Sequence, residues 1–140
     1  MSVKGAVQDL ALLRIAGVQA SPLRIGNSCT MEVGDTVYVA GNPKGLEGTF
    51  SQGIVSGIRR VKGNRYLQIT AAISEGSSGG PILNESGDVI GIAVATVREG
   101  QNLNFAVSGL DLAAIIVKTV GEGFGVGILD DLLKCSDEVN

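Results

Sequence analysis

The sequence predicts an all-β fold, and two observations support that prediction. The 140 residues include 21 glycines and only 3 prolines, a composition that suits short strands joined by tight turns better than a helical bundle. Short apolar runs recur along the chain, and turn-forming residues separate them. A chain of 140 residues is long enough for one domain with a buried core.

The first apolar run, from Gln8 to Ile15, is typical of a buried strand, with Asp9 at its polar mouth. Six further strands are predicted, at Thr36 to Gly41, Thr49 to Arg60, Tyr66 to Ala72, Pro81 to Leu83, Val89 to Val97 and Leu103 to Val107. Six strands are enough to close a small antiparallel barrel.

One helix is predicted after the last strand. Ser108-Gly-Leu-Asp111 has the form of a capping box, and apolar residues from Leu112 to Val120 share one helical face. We therefore expect a terminal helix from Leu110 to Val120. The tail, residues 121–140, begins glycine-rich and ends acidic, which leaves a linker, a short second helix and disorder all open.

Charge and hydropathy exclude several partners. The net charge of -3 and the pI near 4.8 offer no basic surface to nucleic acid or an anionic membrane. No uninterrupted apolar run of about 18 residues exists, so no membrane span is predicted. Hydrophobic residues make up 44% of the chain and the mean hydropathy is +0.31. Part of this apolar surface is expected to meet a partner.

Two groups of side chains have structural interpretations. Cys29 and Cys135 can form at most one disulfide, and without histidines or further thiols they cannot make a zinc site. We expect free thiols, and no metal or cofactor. A basic group around the predicted turn at Lys62-Gly63 is expected to be solvated. Its members are Arg59, Arg60, Lys62 and Arg65.

The stretch from Glu75 to Pro81, Glu-Gly-Ser-Ser-Gly-Gly-Pro, is the candidate catalytic segment. A serine flanked by glycines on a turn can hold its hydroxyl away from the backbone while neighbouring N–H groups converge on one point. Ser78 is the candidate nucleophile, and the N–H groups of Gly76 and Ser78 are candidate oxyanion donors. A hairpin loop without chemistry is the other interpretation.

The same residues also fit G-x-S-x-G, the nucleophile elbow of α/β hydrolases. An elbow leads straight into a helix, whereas here Pro81 is followed by a short apolar run and a turn at Glu85-Ser86-Gly87-Asp88. The context therefore argues against an elbow. The chain has no histidine, so it cannot hold a complete Ser-His-Asp triad.

Several landmarks, in this order, resemble the trypsin-like serine proteases of the HtrA/Deg type between about Val7 and Val120. They are Asp9-Leu-Ala-Leu-Leu-Arg-Ile, Val33-Gly34-Asp35 through Gly41-Asn42-Pro43, Gly53-Ile54-Val55-Ser56-Gly57, the loop from Gly76 to Pro81, Gly87-Asp88-Val89-Ile90-Gly91-Ile92 and Asn102-Leu-Asn-Phe-Ala106.

The resemblance implies a two-barrel protease with its site in the cleft between the barrels. Residues 1–20 would be the last strand of the first barrel, residues 21–120 the second barrel with its helix, and residues 121–140 a tail or linker. The family's catalytic histidine precedes its aspartate by several strands and lies outside this sequence. The chain alone is therefore expected to be inactive, and a noncatalytic peptide-binding or assembly module is the alternative.

The resemblance also assigns roles to residues. Ser78 would be the nucleophile and Asp9 the acid that orients the histidine. The oxyanion donors would be the N–H groups of Gly76, Ser77 and Ser78. The specificity pocket would be bounded by Ala72, Ala93, Thr96 and Phe105. A small neutral residue at position 72 favours aliphatic or small side chains at the cleaved position.

The resemblance further implies unfolded or peptide substrates, no cofactor, and a place in the cell envelope or periplasm. A separate expectation concerns Val7 to Ile15, the strand of an otherwise missing barrel. Its apolar residues would lack partners, so self-association through Val7 to Ile15 is predicted.

Overall fold

The computed structural model describes residues 2–7, 10–41, 48–61, 63–74, 76–96 and 104–120. Within these ranges the chain forms eight strands and one α-helix. The strands are β1 Ser2–Val7, β2 Leu10–Arg14, β3 Thr36–Gly41, β4 Thr49–Val61, β5 Asn64–Ile69, β6 Pro81–Leu83, β7 Val89–Thr96 and β8 Asn104–Ser108, and the helix is α1 Gly109–Val120. A short 3-10 turn covers Ser28–Thr30.

The six strands β3 to β8 close an antiparallel barrel in the order β3-β4-β5-β8-β7-β6, which confirms the predicted fold class. Alternating residues point inward because side chains on a strand alternate between its two faces. In β3 this places Val37 and Val39 in the core, and in β5 it does so for Leu67 and Ile69. β3 pairs with both β4 and β6, and so leaves no open edge there.

β5 differs most from the prediction in its bounds, while β4 and β8 each end one residue later than predicted, at Val61 and Ser108. β5 begins at Asn64 and ends at Ile69, whereas the sequence predicted Tyr66 to Ala72. It begins early because Val61 and Asn64 pair across a two-residue turn, in which Gly63 has a φ of +80°. Beyond Ile69, side-chain hydrogen bonds replace most of the backbone pairing.

The helix α1 packs against β7, β8 and the amino-terminal strands. Ser108 Oγ accepts a hydrogen bond from Asp111 N at 3.4 Å, and Ser28 Oγ accepts one from Leu110 N at 3.2 Å. These bonds satisfy two N–H groups that a helix start leaves without partners. No helix in the described part of the chain is long and apolar enough to cross a membrane. The predicted tail lies outside the described residues.

The amino-terminal segment contains two strands where the sequence predicted one. β1 and β2 pair as an antiparallel hairpin, with Ser2 opposite Arg14 and Val7 opposite Leu10. The predicted run is only partly buried: Leu10 and Leu12 are half-buried, whereas Leu13 is 46% exposed and Ile15 is 55% exposed. Among the described residues α1 contacts both strands of this hairpin, and a two-stranded sheet has a face that needs a further layer.

Two side chains differ from their expected states. Arg65 is only 5% exposed, whereas a solvated side chain was predicted. Its guanidinium donates to Ser28 O at 3.4 Å, and burial, followed by the charge of Arg60, lowers its pKa from the ordinary value. Cys29 is disulfide-bonded rather than a free thiol. The other cysteine of the chain, Cys135, lies outside the described residues.

Candidate active site

A glycine-dependent turn precedes the candidate nucleophile. Ser77 N donates to Ser74 O at 2.9 Å, and Gly76 has a φ of +94°. A positive φ at the third residue, with a hydrogen bond from the fourth residue to the first, is what a type II turn requires. Glycine reaches that conformation without the steric cost that other residues incur. The turn therefore explains why a glycine stands at position 76.

Backbone hydrogen bonds tie the residues after Ser78 to β7. Gly79 N donates to Ala93 O at 2.7 Å, and Ala93 N donates to Gly80 O at 2.9 Å. Gly80 N also donates to Ser77 O at 2.9 Å. We call residues 76–80 the serine loop. Ser78 is held between the turn on one side and these bonds on the other.

The serine loop also lies directly against β3. A Cβ atom on Gly80 would collide with Ala40 O, and one on Gly41 would lie 2.7 Å from Ser77 Oγ. Real Cβ atoms do not approach other atoms so closely, so only glycine allows the loop to lie this near the strand. Gly41 and Gly80 therefore allow the serine loop to lie in direct contact with the backbone of β3.

The two serines of the loop have opposite environments. Ser77 is 5% exposed and faces Gly41, whereas Ser78 is exposed. Within the described part of the chain, the N–H groups of Gly76 and Ser78 have no hydrogen-bond acceptor. The N–H of Ser77, the third predicted donor, is instead occupied by Ser74 O. Two of the three predicted donors are thus available beside an exposed hydroxyl.

The predicted pocket residues differ in how they meet the loop. Ala72 is exposed and lies at the end of the segment that enters the turn. The side chain of Ala93 is buried in the barrel core, so Ala93 meets the serine loop through its main chain. Phe105 is half-buried and pairs with Gln68. Thr96 pairs with Asn104, but its side chain lies outside what the structure describes.

Asp9 also lies outside the described residues. The next residue, Leu10, lines an apolar cavity of about 200 Å³ that Gly79 of the serine loop also lines. Side chains from β2, β7 and α1 complete its walls: Ala11, Leu12, Ile92, Leu112, Ile115 and Ile116. The start of β2 and the serine loop therefore border one cavity.

Two residues to which the sequence analysis assigned no role hold the chain just before the turn. Ser51 Oγ donates to Ala72 O at 2.8 Å, and Asn104 Nδ2 donates to Ala71 O at 2.7 Å. A polar amide in an otherwise apolar strand was the available signal for Asn104. Nothing comparable distinguished Ser51, which lies in a strand with several polar residues.

Comparison with known proteins gives one consistent family. Residues 2–92 match the trypsin-like peptidase domain. The chain is 37% identical over 131 residues to the serine protease Do-like HtrB of Bacillus subtilis. The aligned region covers 84% of this chain and 29% of HtrB. The chain spans 25% to 32% of the length of the curated relatives it matches.

Solved structures agree with the sequence relatives. The HtrA-type protease AlgW with decapeptide superposes with a TM-score of 0.74 at 28% identity, covering 84% of this chain and 40% of that one. The serine endoprotease from Yersinia pestis also gives a TM-score of 0.74, at 30% identity, with 84% of this chain and 43% of that one covered. The closed barrel, the serine loop and the family match lead to one conclusion: this chain belongs to the trypsin-like serine peptidases of the HtrA/Deg type.

Proposed function

We propose that this chain supplies the nucleophile and the oxyanion-binding turn of a serine endopeptidase. The observation that carries the proposal is the serine loop, where an exposed hydroxyl at Ser78 lies in a turn whose N–H groups at Gly76 and Ser78 have no acceptor among the described residues. Acyl transfer needs this combination, because the oxygen that becomes negative requires donors already in place.

In the proposed reaction, Ser78 Oγ attacks the carbonyl carbon of a peptide bond and gives its proton to a base. The carbonyl oxygen becomes an oxyanion and accepts hydrogen bonds from the Gly76 and Ser78 N–H groups. Collapse of this intermediate breaks the C–N bond, and the base returns the proton to the leaving amine. Water then hydrolyses the acyl-enzyme by the same steps, which regenerates Ser78.

The base is the part that this chain does not contain, because it has no histidine. Asp9 has the proposed role of orienting an imidazole, a role supported by the cavity that Leu10 and Gly79 share. A carboxylate with an ordinary pKa of about 3.9 is too weak a base toward a hydroxyl to replace imidazole. We therefore propose that the chain alone hydrolyses peptides only slowly. The rate that survives such a loss comes from the oxyanion hole and binding.

Added imidazole tests this proposal on the chain as it is. The measurement is phosphonylation of Ser78 by a fluorophosphonate, in which an O–P bond forms, a P–F bond breaks and the base takes the proton. We expect labelling to increase with imidazole concentration and with pH through the neutral range, since the neutral ring is the base. Ser78→Ala abolishes it, and Ser86→Ala, in an exposed turn, leaves it unchanged. Labelling that ignores imidazole, or that persists in Ser78→Ala, contradicts the proposal.

A noncatalytic peptide-binding module is the second candidate, and the absence of histidine is the observation that favours it. Such a module would bind an unfolded or extended peptide equally well in the wild-type chain and in Ser78→Ala. It would not be phosphonylated even with imidazole. Peptide binding by calorimetry, compared with the labelling result, separates the two candidates.

The preferred substrate side chain is the finer part of the proposal. Ala72 is small, neutral and exposed at the entry to the turn, which favours a small or aliphatic residue at the cleaved position. Phosphonates that carry an alanine-like, a leucine-like or a lysine-like side chain test this. Faster labelling by the lysine-like reagent contradicts it.

We also propose that the hairpin self-associates through Val7 to Ile15. Leu13 and Ile15 are 46% and 55% exposed, and each Å² of apolar surface removed from water contributes about 25 cal/mol. Sedimentation of the chain should therefore show a dimer that weakens in Leu13→Ser. Leu23→Ser, at an exposed site outside the hairpin, is the matched control. A clean monomer at high concentration contradicts the proposal.

A further inference from the structure

Residues 70–73 connect the last residue of β5 with the turn that precedes the serine loop, and we call them the entry segment. The barrel places β5 between β4 and β8. Paired strands would normally satisfy the backbone of a segment in that position. Among the described residues, however, the backbone pairing of β5 with β8 extends only as far as Ile69 and Asn104.

Side chains from both neighbouring strands continue the pairing beyond that point. From β8, Asn104 Nδ2 donates to Ala71 O at 2.7 Å. From β4, Ser51 Oγ donates to Ala72 O at 2.8 Å. The chain bends at Ala71, and the two donors reach it from the strands on either side of β5. The two side chains therefore fix consecutive carbonyl groups from the two sides.

The surrounding structure leaves the entry segment little room to shift. Thr70 N donates to Ile54 O at 3.0 Å, and Thr70 Oγ1 accepts from Ile54 N at 2.9 Å. A Cβ atom on Gly53 would collide with Ala71 N. Asn104 itself is 5% exposed, so its amide is set by packing as well as by the bond. The two hydrogen bonds act on a segment already in close contact with β4.

We propose that Ser51 and Asn104 are positioning residues for the acyl-transfer reaction. They set the entry segment, which sets Ala72 and, two residues further on, the turn closed by Ser74 and Ser77. That turn presents the N–H groups of Gly76 and Ser78. The inference rests on the serine endopeptidase function proposed above.

The physical consequence of losing either bond is a displaced turn. Ala71 is fully buried, so its carbonyl would lose its donor in a place that water does not reach. Oxyanion donors act only when they lie about 2.7 to 3.1 Å from the developing charge. A shift of about 1 Å can cost on the order of 100-fold in rate. The barrel core need not change for this to happen.

The test compares imidazole-dependent labelling of Ser78 in the wild-type chain and in three variants. Ser51→Ala and Asn104→Ala should each lower the labelling rate about 10- to 100-fold. Ser51→Thr keeps a hydroxyl and should recover most of the rate. The ratio of rates for an alanine-like and a leucine-like phosphonate should also change in both alanine variants, because Ala72 moves. A general loss of stability would lower both rates together and leave that ratio fixed.

The outcomes separate this inference from the function it rests on. Circular dichroism and thermal unfolding establish that each variant is folded, and Ser51→Ala, at a half-buried site, keeps the test open if Asn104→Ala does not fold. Wild-type labelling that the variants leave unchanged in rate and in reagent preference overturns the positioning role alone. No labelling of the folded wild type with imidazole overturns the proposed function and this inference with it.

Discussion

The barrel strands and β2 of the amino-terminal hairpin are similarly apolar in sequence, yet they differ in burial. Each barrel strand has a hydrogen-bonded neighbour on both sides, and Leu67 and Ile82 are fully buried. Each hairpin strand has one neighbour, and Leu13 remains 46% exposed. An apolar pattern thus predicts a strand but not its burial, because burial depends on the layers that other parts of the chain or of a partner provide.

The largest expected effect comes from making the same change in both regions. Leu67→Ala should destabilise the chain by about 2–5 kcal/mol, because it removes a fully buried side chain and leaves a cavity. Leu13→Ala should cost less than about 1 kcal/mol, since nearly half of that side chain is already in water. Urea unfolding followed by circular dichroism measures both. Equal losses would mean that the hairpin shares the stability of the barrel.

The same contrast explains what the sequence could and could not predict. The bounds of β3 and β6, at Thr36–Gly41 and Pro81–Leu83, were predicted as the structure has them, because turn residues and alternation are local signals. The pairing of β1 with β2 was missed, since Ser2–Val7 is weakly apolar and its register depends on the partner strand. Short sequence patterns thus predicted where β3 and β6 begin and end. They did not predict which strands pair or how deeply each strand is buried, because both depend on distant parts of the chain.

Arg65 is a miss for which a signal existed. It alternates with Leu67 and Ile69 along β5, so the two-residue period places it on the inner face. Its charge suggested a solvated hairpin tip instead. The polar amide of Asn104 was a local signal, but the partners of Asn104 and Ser51 were not, because the two bonds join residues 33 and 21 positions apart. The candidate nucleophile was accessible from sequence, but the residues that hold its turn were not.

A smaller effect is expected at the junction of the barrel and α1, where Asp111 accepts a hydrogen bond from Arg65 N at 3.0 Å. Burial raises the pKa of Asp111, against the opposing effect of that bond and of Arg60. A raised folded pKa means that the protonated form is favoured in the fold. The protonated carboxyl of Asp111 therefore contributes to the stability of the fold. This contribution is fully present below the unfolded pKa of about 3.9 and is lost as pH rises through the folded value.

Asp111→Asn keeps an acceptor for Arg65 N and removes the charge. We expect the variant to be more stable than the wild type near pH 7, by less than about 1 kcal/mol because the site is half exposed to solvent. The difference should vanish below about pH 4, where the wild-type carboxyl is neutral. Urea unfolding across this pH range measures it. A variant that is less stable at neutral pH would show that the charge of Asp111 helps the helix start more than its burial costs.

The smallest effect is expected at the surface pair of Arg24 and Asp88. Arg24 Nε donates to Asp88 Oδ1 at 2.8 Å and Arg24 Nη2 donates to Asp88 Oδ2 at 2.6 Å. The hydrogen bonds from Arg24 lower the pKa of Asp88. A depressed folded pKa gives stability that is present above the unfolded pKa of about 3.9 and lost as pH falls through the folded value. The Arg24 side chain is 67% exposed and that of Asp88 is 14% exposed, so salt should reach the pair from the arginine side and screen much of this contribution.

Arg24→Gln should therefore change the pKa of Asp88 without changing the free energy of unfolding of the chain at high salt. In the variant, NMR titration should show the Asp88 pKa move up toward about 3.9, while the urea midpoint at neutral pH and high salt stays within error of the wild type. Arg14→Gln, at another exposed arginine on the hairpin, should leave the Asp88 titration unchanged. If Arg24→Gln lowers the midpoint at high salt, the pair also anchors the segment around Arg24, whose carbonyl accepts from Val89 N at 2.8 Å. In that case the segment around Arg24 would unfold together with the barrel. The boundary between the hairpin and the part of the chain that shares the barrel's stability would then lie closer to Arg14 than to Arg24.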